Sequence, residues 1–103
     1  MARWVPFVYR EFYDIPRAIV AGDGQHTYFF DCPFDEVLDD YAPEYDVYIM
    51  PQLSQADLSG SWEALTQRAI RKLGRIPVSD LRFDATQRRE IDLGVLEGFP
   101  QAK

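Results

Sequence analysis

The chain has 103 residues, 47% apolar and 27% charged, with a net charge of −6. This composition excludes a disordered chain and leaves room for one globular domain, residues 1–103, built on one core. The single cysteine, Cys32, excludes an internal disulfide and points to a reducing, cytoplasmic setting, and no apolar run approaches the ~20 residues of a membrane span.

Trp4 to Tyr13 is rich in aromatic and β-branched residues. Val5, Phe7, Tyr9 and Tyr13 fall on one face of a strand, and Trp4, Val8 and Phe12 on the other. Both faces are apolar, so the spacing predicts a strand covered on both sides, in part by a second subunit. Pro6 hints at an edge position. Asp14-Ile15-Pro16 breaks the strand. Arg17–Ala21 and Gln25–Cys32 then flank Gly22-Asp23-Gly24, which is a hairpin signal, since Asp and Gly tolerate the positive φ of a tight turn.

After Pro33, Phe34, Val37, Leu38 and Tyr41 recur at helical spacing, with Asp35, Glu36, Asp39 and Asp40 facing the other way. A short acidic helix is expected at about 34–41, too short to stand without packing of its apolar stripe. Tyr45–Met50 reads as a strand and Gln52–Gly60 as a surface loop. Ser61 suits an N-cap and Glu63 a first turn; Trp62, Leu65, Ala69, Ile70 and Leu73 form one stripe, and Gly74 offers a stop. The main helix is therefore expected at about 61–73. Val78–Phe83 and Arg89–Val95 alternate as a second hairpin, in competition with a helix from Ala85 capped by Asp84. A frayed tail is expected from Glu97 to Lys103. The fold class is α+β: a twisted, mostly antiparallel sheet or a partly open small barrel, with one main and one short acidic helix.

Charge is spread unevenly. Residues 1–50 hold three arginines against ten acids, a net −7, and residues 51–103 hold eight bases against seven acids, a net +1. The acidic half argues against general nucleic-acid binding, which needs cations to displace counterions. Seven carboxylates (Asp31, Asp35, Glu36, Asp39, Asp40, Glu44 and Asp46) crowd into sixteen residues. Hard cations take such oxygens, but the Asp-x-Asp-x-Asp-Gly register of a calcium loop is missing. A solvated helix face or a surface for a basic protein partner fits better. No motif implies a cofactor.

His26 and Cys32 would share one strand face six residues apart, roughly 20 Å at about 3.3 Å per residue, too far for a nucleophile and its base. Cys32 is expected buried and His26 at the surface. Arg68, Arg71, Lys72 and Arg75 form a basic stripe at a helix C-terminus, where cations complement the dipole. Phosphates, nucleic acid or the acidic surface of another copy are its competing partners. Twelve of the fifteen aromatics lie in residues 1–50, more than so small a core covers easily.

The reading that follows is an interaction module, a homodimer through the aromatic first strand (Trp4, Phe12), offering Asp35, Glu36, Asp39 and Asp40 to a basic partner. The alternative is a carboxylate-based, metal-dependent enzyme or small-ligand binder. It requires a partly buried carboxylate of raised pKa near Tyr41, Tyr45 or Tyr48.

Overall fold

The computed structural model describes residues 3–13, 15–22, 24–62, 64–84 and 90–99. The first half runs as an antiparallel meander: β1 (Trp4–Tyr13), β2 (Ile15–Gly22) and β3 (Thr27–Asp31). The expected hairpin between β2 and β3 is present, and Gly24 takes φ +89° in its turn; Asp23 lies outside the described residues. A small hairpin, β4 (Phe34–Asp35) and β5 (Asp40–Tyr41), is inserted before β6 (Glu44–Met50), which pairs with β3. Two short helices follow, α1 (Gln55–Ser59) and α2 (Leu65–Arg68). Then comes β7 (Arg71–Pro77) against β6, and the chain crosses to β8 (Glu90–Asp92) beside β1.

The six-stranded sheet has the order β7-β6-β3-β2-β1-β8, and every pair is antiparallel. It stays open, so the barrel alternative is corrected. Among the described residues β8 pairs with β1 over Trp4–Pro6, so β1 lies between β2 and β8 there and the edge position hinted at by Pro6 is corrected.

Both faces of the sheet are buried at its centre, which is why β2 and β3 read as nearly unbroken apolar runs. One face carries Ile19, Tyr28, Phe30, Tyr45, Val47 and Ile76 under the C-terminal segment, with Ile91, Leu93 and Leu96 fully buried. There the Tyr45 hydroxyl donates to the Pro16 carbonyl at 2.7 Å, and burial pushes its pKa upward. The other face carries Ala18, Val20, Phe29 and Met50 under Trp62 and Leu65, with the Phe29 and Trp62 rings edge to face.

Three expected elements are corrected. The main helix at 61–73 is absent. Trp62 and Leu65 do pack together, but Ala69 is extended (ψ 141°) and the Ile70 N–H donates to the Ile49 carbonyl at 2.8 Å. From there the chain completes the open edge of β6, and those ladder hydrogen bonds outweigh the helical stripe. Leu73 packs on the opposite sheet face from Trp62, and Ile70 is exposed. The second correction is α1, which lies in the expected loop. Ser54 caps it: its Oγ accepts from Asp57 N at 3.1 Å, and Asp57 accepts from Ser54 N at 2.8 Å. Third, Val78–Phe83 is not a strand. It starts with a 3-10 turn at Val78–Asp80 and keeps one bridge, Phe83 to Ile91. Leu93–Gly98 is a second 3-10 turn, capped by Asp92. The competing helix from Ala85, and the tail beyond Phe99, lie outside the described residues.

Candidate functional site

The acidic segment forms a projecting hairpin instead of a helix. Phe34 pairs with Tyr41 and Asp35 with Asp40, so residues 36–39 are a tight turn. The sequence suits it. The Asp35 carboxylate accepts from Val37 N (2.9 Å) and Leu38 N (3.3 Å), folding the chain back on itself. Asp39 takes φ +54°, a region aspartate tolerates better than most residues. The expected apolar stripe is therefore not buried. Val37 is 94% exposed, Leu38 60% and Phe34 53%.

The base of this hairpin is held by Arg17, itself only 9% exposed. Its guanidinium lies 4.5 Å from the centre of the Tyr41 ring, and Nη1 is 3.4 Å from Cys32 Sγ. Tyr41 in turn meets Phe34 edge to face at 5.4 Å. Cys32 N donates to the Arg17 carbonyl, and the thiol donates to the Ala42 carbonyl at 3.1 Å. Cys32 is buried, as expected, and burial raises its pKa against the opposing pull of Arg17. His26 stands at the other end of β3, its ring 6.2 Å from that of Tyr28.

The carboxylates sort into groups that the sequence spacing does not define. Asp35, Glu36, Glu44 and Asp46 line one cleft of about 320 Å³, with Arg75 on its wall. Asp39 and Asp40 do not line it. Asp46 is bound by Lys72 Nζ at 3.1 Å and Arg75 Nε at 2.9 Å. Arg68 pairs with Asp57 at 2.8 Å and, with Ser54, holds that carboxyl down to about 2. The basic stripe is thus divided between α2 and β7, and Arg68, Lys72 and Arg75 meet acids of the same chain. Among the described residues, no group of three or more His, Cys, Asp or Glu side chains is arranged to hold a metal ion.

Asp31 differs from the rest. It faces Asp46 across the β3–β6 ladder and is partly buried. Burial raises its pKa, and the charges of Asp46 and Glu11 raise it further. Tyr48, on the same face, is raised by burial and then by Asp46 and Asp31, against Arg75. Because the folded pKa of Asp31 lies above its unfolded value, the ionised group opposes folding at neutral pH. The folded state takes up the proton first as pH falls, so the penalty starts to fall at the folded pKa and is gone below the unfolded one. Asp31→Asn is therefore expected to raise Tm at pH 7, by roughly 4–8 °C for each kcal/mol relieved. The gain over wild type should shrink as pH falls towards 4. Thermal melts by circular dichroism across pH 4–8 check this; a lower Tm at pH 7 would show that Asp31 is stabilised by its neighbours.

Trp4 and Val8 are each 44% exposed on one face of β1, and Tyr9 is 48% exposed on the other. The side chain of Phe12 lies outside the described residues. Arg10 was not singled out by the sequence. It donates to the Leu58 carbonyl at 2.6 Å and stacks on Trp62 at 5.2 Å, tying β1 to α1. Beside it an apolar groove of about 270 Å³ runs over Pro6, Val8, Val20, Leu53 and Leu58.

No helix among the described residues is long and apolar enough to cross a membrane. No family model, curated protein or solved structure matches the chain.

Proposed function

We propose that this chain is a small interaction module, presenting the β4–β5 hairpin to a basic partner and the exposed face of β1 to another copy of itself. The observation that carries the reading is the exposure of Val37 and Leu38 at the turn of a hairpin that carries Asp35, Glu36, Asp39 and Asp40 on either side of them. A loop that merely solubilised the surface would gain nothing from two aliphatic side chains in water, at about 1.5–3 kcal/mol each if buried on a partner. The packed base at Arg17 supports it too, because a loop held in place before binding loses less entropy on docking. The test is titration with a lysine- and arginine-rich peptide, followed by amide chemical shifts. Changing Asp35, Glu36, Asp39 and Asp40 together to Asn or Gln is expected to weaken binding on the order of tenfold or more, since each lost charge pair contributes about 0.2–1 kcal/mol at an exposed site. Unchanged binding by that variant removes the acidic half of the proposal.

A second reading, a carboxylate-based ligand binder or metal-dependent enzyme, has Asp31 in its favour: a partly buried carboxyl of raised pKa facing Asp46 and Tyr48. It requires that millimolar Mg²⁺ or Ca²⁺, or a small organic cation, lower the Asp31 pKa. Titration of the Asp31 carboxyl by NMR with and without each ion decides it.

A further inference from the structure

We propose that the partner of the β4–β5 hairpin is a second copy of this chain, whose apolar groove beside β1 receives Val37 and Leu38. The proposal rests on the interaction-module reading and gives both of its surfaces one occupant. The groove, about 270 Å³, is lined by Pro6, Val8, Val20, Leu53 and Leu58, which suits aliphatic side chains. At its Leu58 wall stands the Arg10 guanidinium, held by the Leu58 carbonyl and the Trp62 ring. No carboxylate pairs with Arg10 among the described residues.

The hairpin is the complement of that surface. Its tip is apolar, and Asp35, Glu36, Asp39 and Asp40 flank the tip with negative charge. A purely basic partner would match the charges and leave Val37 and Leu38 in water. A purely apolar partner would strip water from the carboxylates with no compensation. A surface with an apolar floor and a cation at its wall satisfies both, and this chain carries one.

The placement also permits closure. The groove lies where β2 ends at Gly22 and β3 begins at Thr27. The hairpin leaves the opposite end of the sheet, between Asp31 at the end of β3 and Glu44 at the start of β6. A two-fold axis running across the strands brings each hairpin to the other copy's groove, so two equivalent contacts form together.

Sedimentation equilibrium of the full chain tests this with wild type, Val37→Ser/Leu38→Ser, Val8→Asp, and an equimolar mixture of the two variants. All three substituted side chains are substantially exposed, and circular dichroism verifies that each variant folds. Wild type is expected to dimerise, and each variant to associate on the order of tenfold or more weakly. The mixture is expected to recover affinity, because one intact hairpin then meets one intact groove. A hairpin variant that dimerises like wild type while Val8→Asp dissociates would overturn the inference and leave self-association through β1 standing. Loss in both variants without recovery on mixing would also overturn it. A wild type that stays monomeric at millimolar concentration would remove the self-association reading as well.

Discussion

Arg17→Ala is expected to lower stability by about 2–4 kcal/mol and to loosen the acidic hairpin, the larger part coming from lost packing and the desolvated cation–π contact. The residue is 9% exposed, and its guanidinium covers the Tyr41 ring at 4.5 Å beside the Cys32 thiol. Truncation leaves a cavity below Tyr41 and removes the platform on which Tyr41 and Phe34 stand. Arg17→Met separates packing from charge: it keeps an unbranched apolar side chain and removes the cation. A buried charge is often close to neutral for stability once its desolvation is counted. The Met variant is therefore expected to recover more than half of the loss. The second readout is local. Amide exchange at Val37, Leu38 and Tyr41 should accelerate in Arg17→Ala beyond what the global destabilisation explains. Equal acceleration at β3 and β6 would show that Arg17 supports the sheet as a whole and does not anchor the hairpin.

The hairpin at Gly22-Asp23-Gly24 was legible because turn chemistry and β-branched flanks agree there. Tyr45–Met50 was legible between Pro43 and Pro51. The acidic hairpin was not, and the reason is geometric. Residues seven apart, Phe34 and Tyr41, sit two turns apart on a helix, yet they are also facing partners across a four-residue turn. Spacing alone cannot choose between these. What chooses is Asp35, whose carboxylate satisfies two turn amides, and Arg17, whose side chain lies against Tyr41 from a strand far earlier in the chain. The first signal is local and available to a reader of Asx turns; the second exists only in three dimensions. The site shows the same division. Crowding of carboxylates was visible, but their sorting was not: Asp46 is claimed by Lys72 and Arg75 from β7, and Asp31 is left facing it, partly buried. For α1 the signal is present in the sequence, since Ser54-x-x-Asp57 forms a capping box that competes with the N-cap signal at Ser61. Such a box fixes where a helix starts even when the apolar stripe that follows is weak.

Gly74 shows most sharply the difference between a helix end and a strand at this position. As a helix stop it would tolerate substitution at modest cost. In β7 it takes φ +152° opposite a register shift between Val47 and Tyr48, and a Cβ there would lie 2.7 Å from the Phe99 ring. Two penalties follow. A non-glycine residue in this region costs about 1–3 kcal/mol of backbone strain, and forcing extra volume against a packed ring costs roughly 1–3 kcal/mol. Gly74→Ala is expected to lose about 2–4 kcal/mol in urea unfolding, less than the full sum because the Phe99 ring is the end of a movable side chain. A double-mutant cycle with Phe99→Ala divides the two. In the Phe99→Ala background the ring is gone, and Gly74→Ala should then cost only the backbone part. If the cost is the same with and without the ring, the Phe99 contact contributes nothing and the strain lies wholly in the bulge. If Gly74→Ala is neutral in both backgrounds, β7 does not hold the positive φ, and the pairing of its second half with β6 must follow a different register.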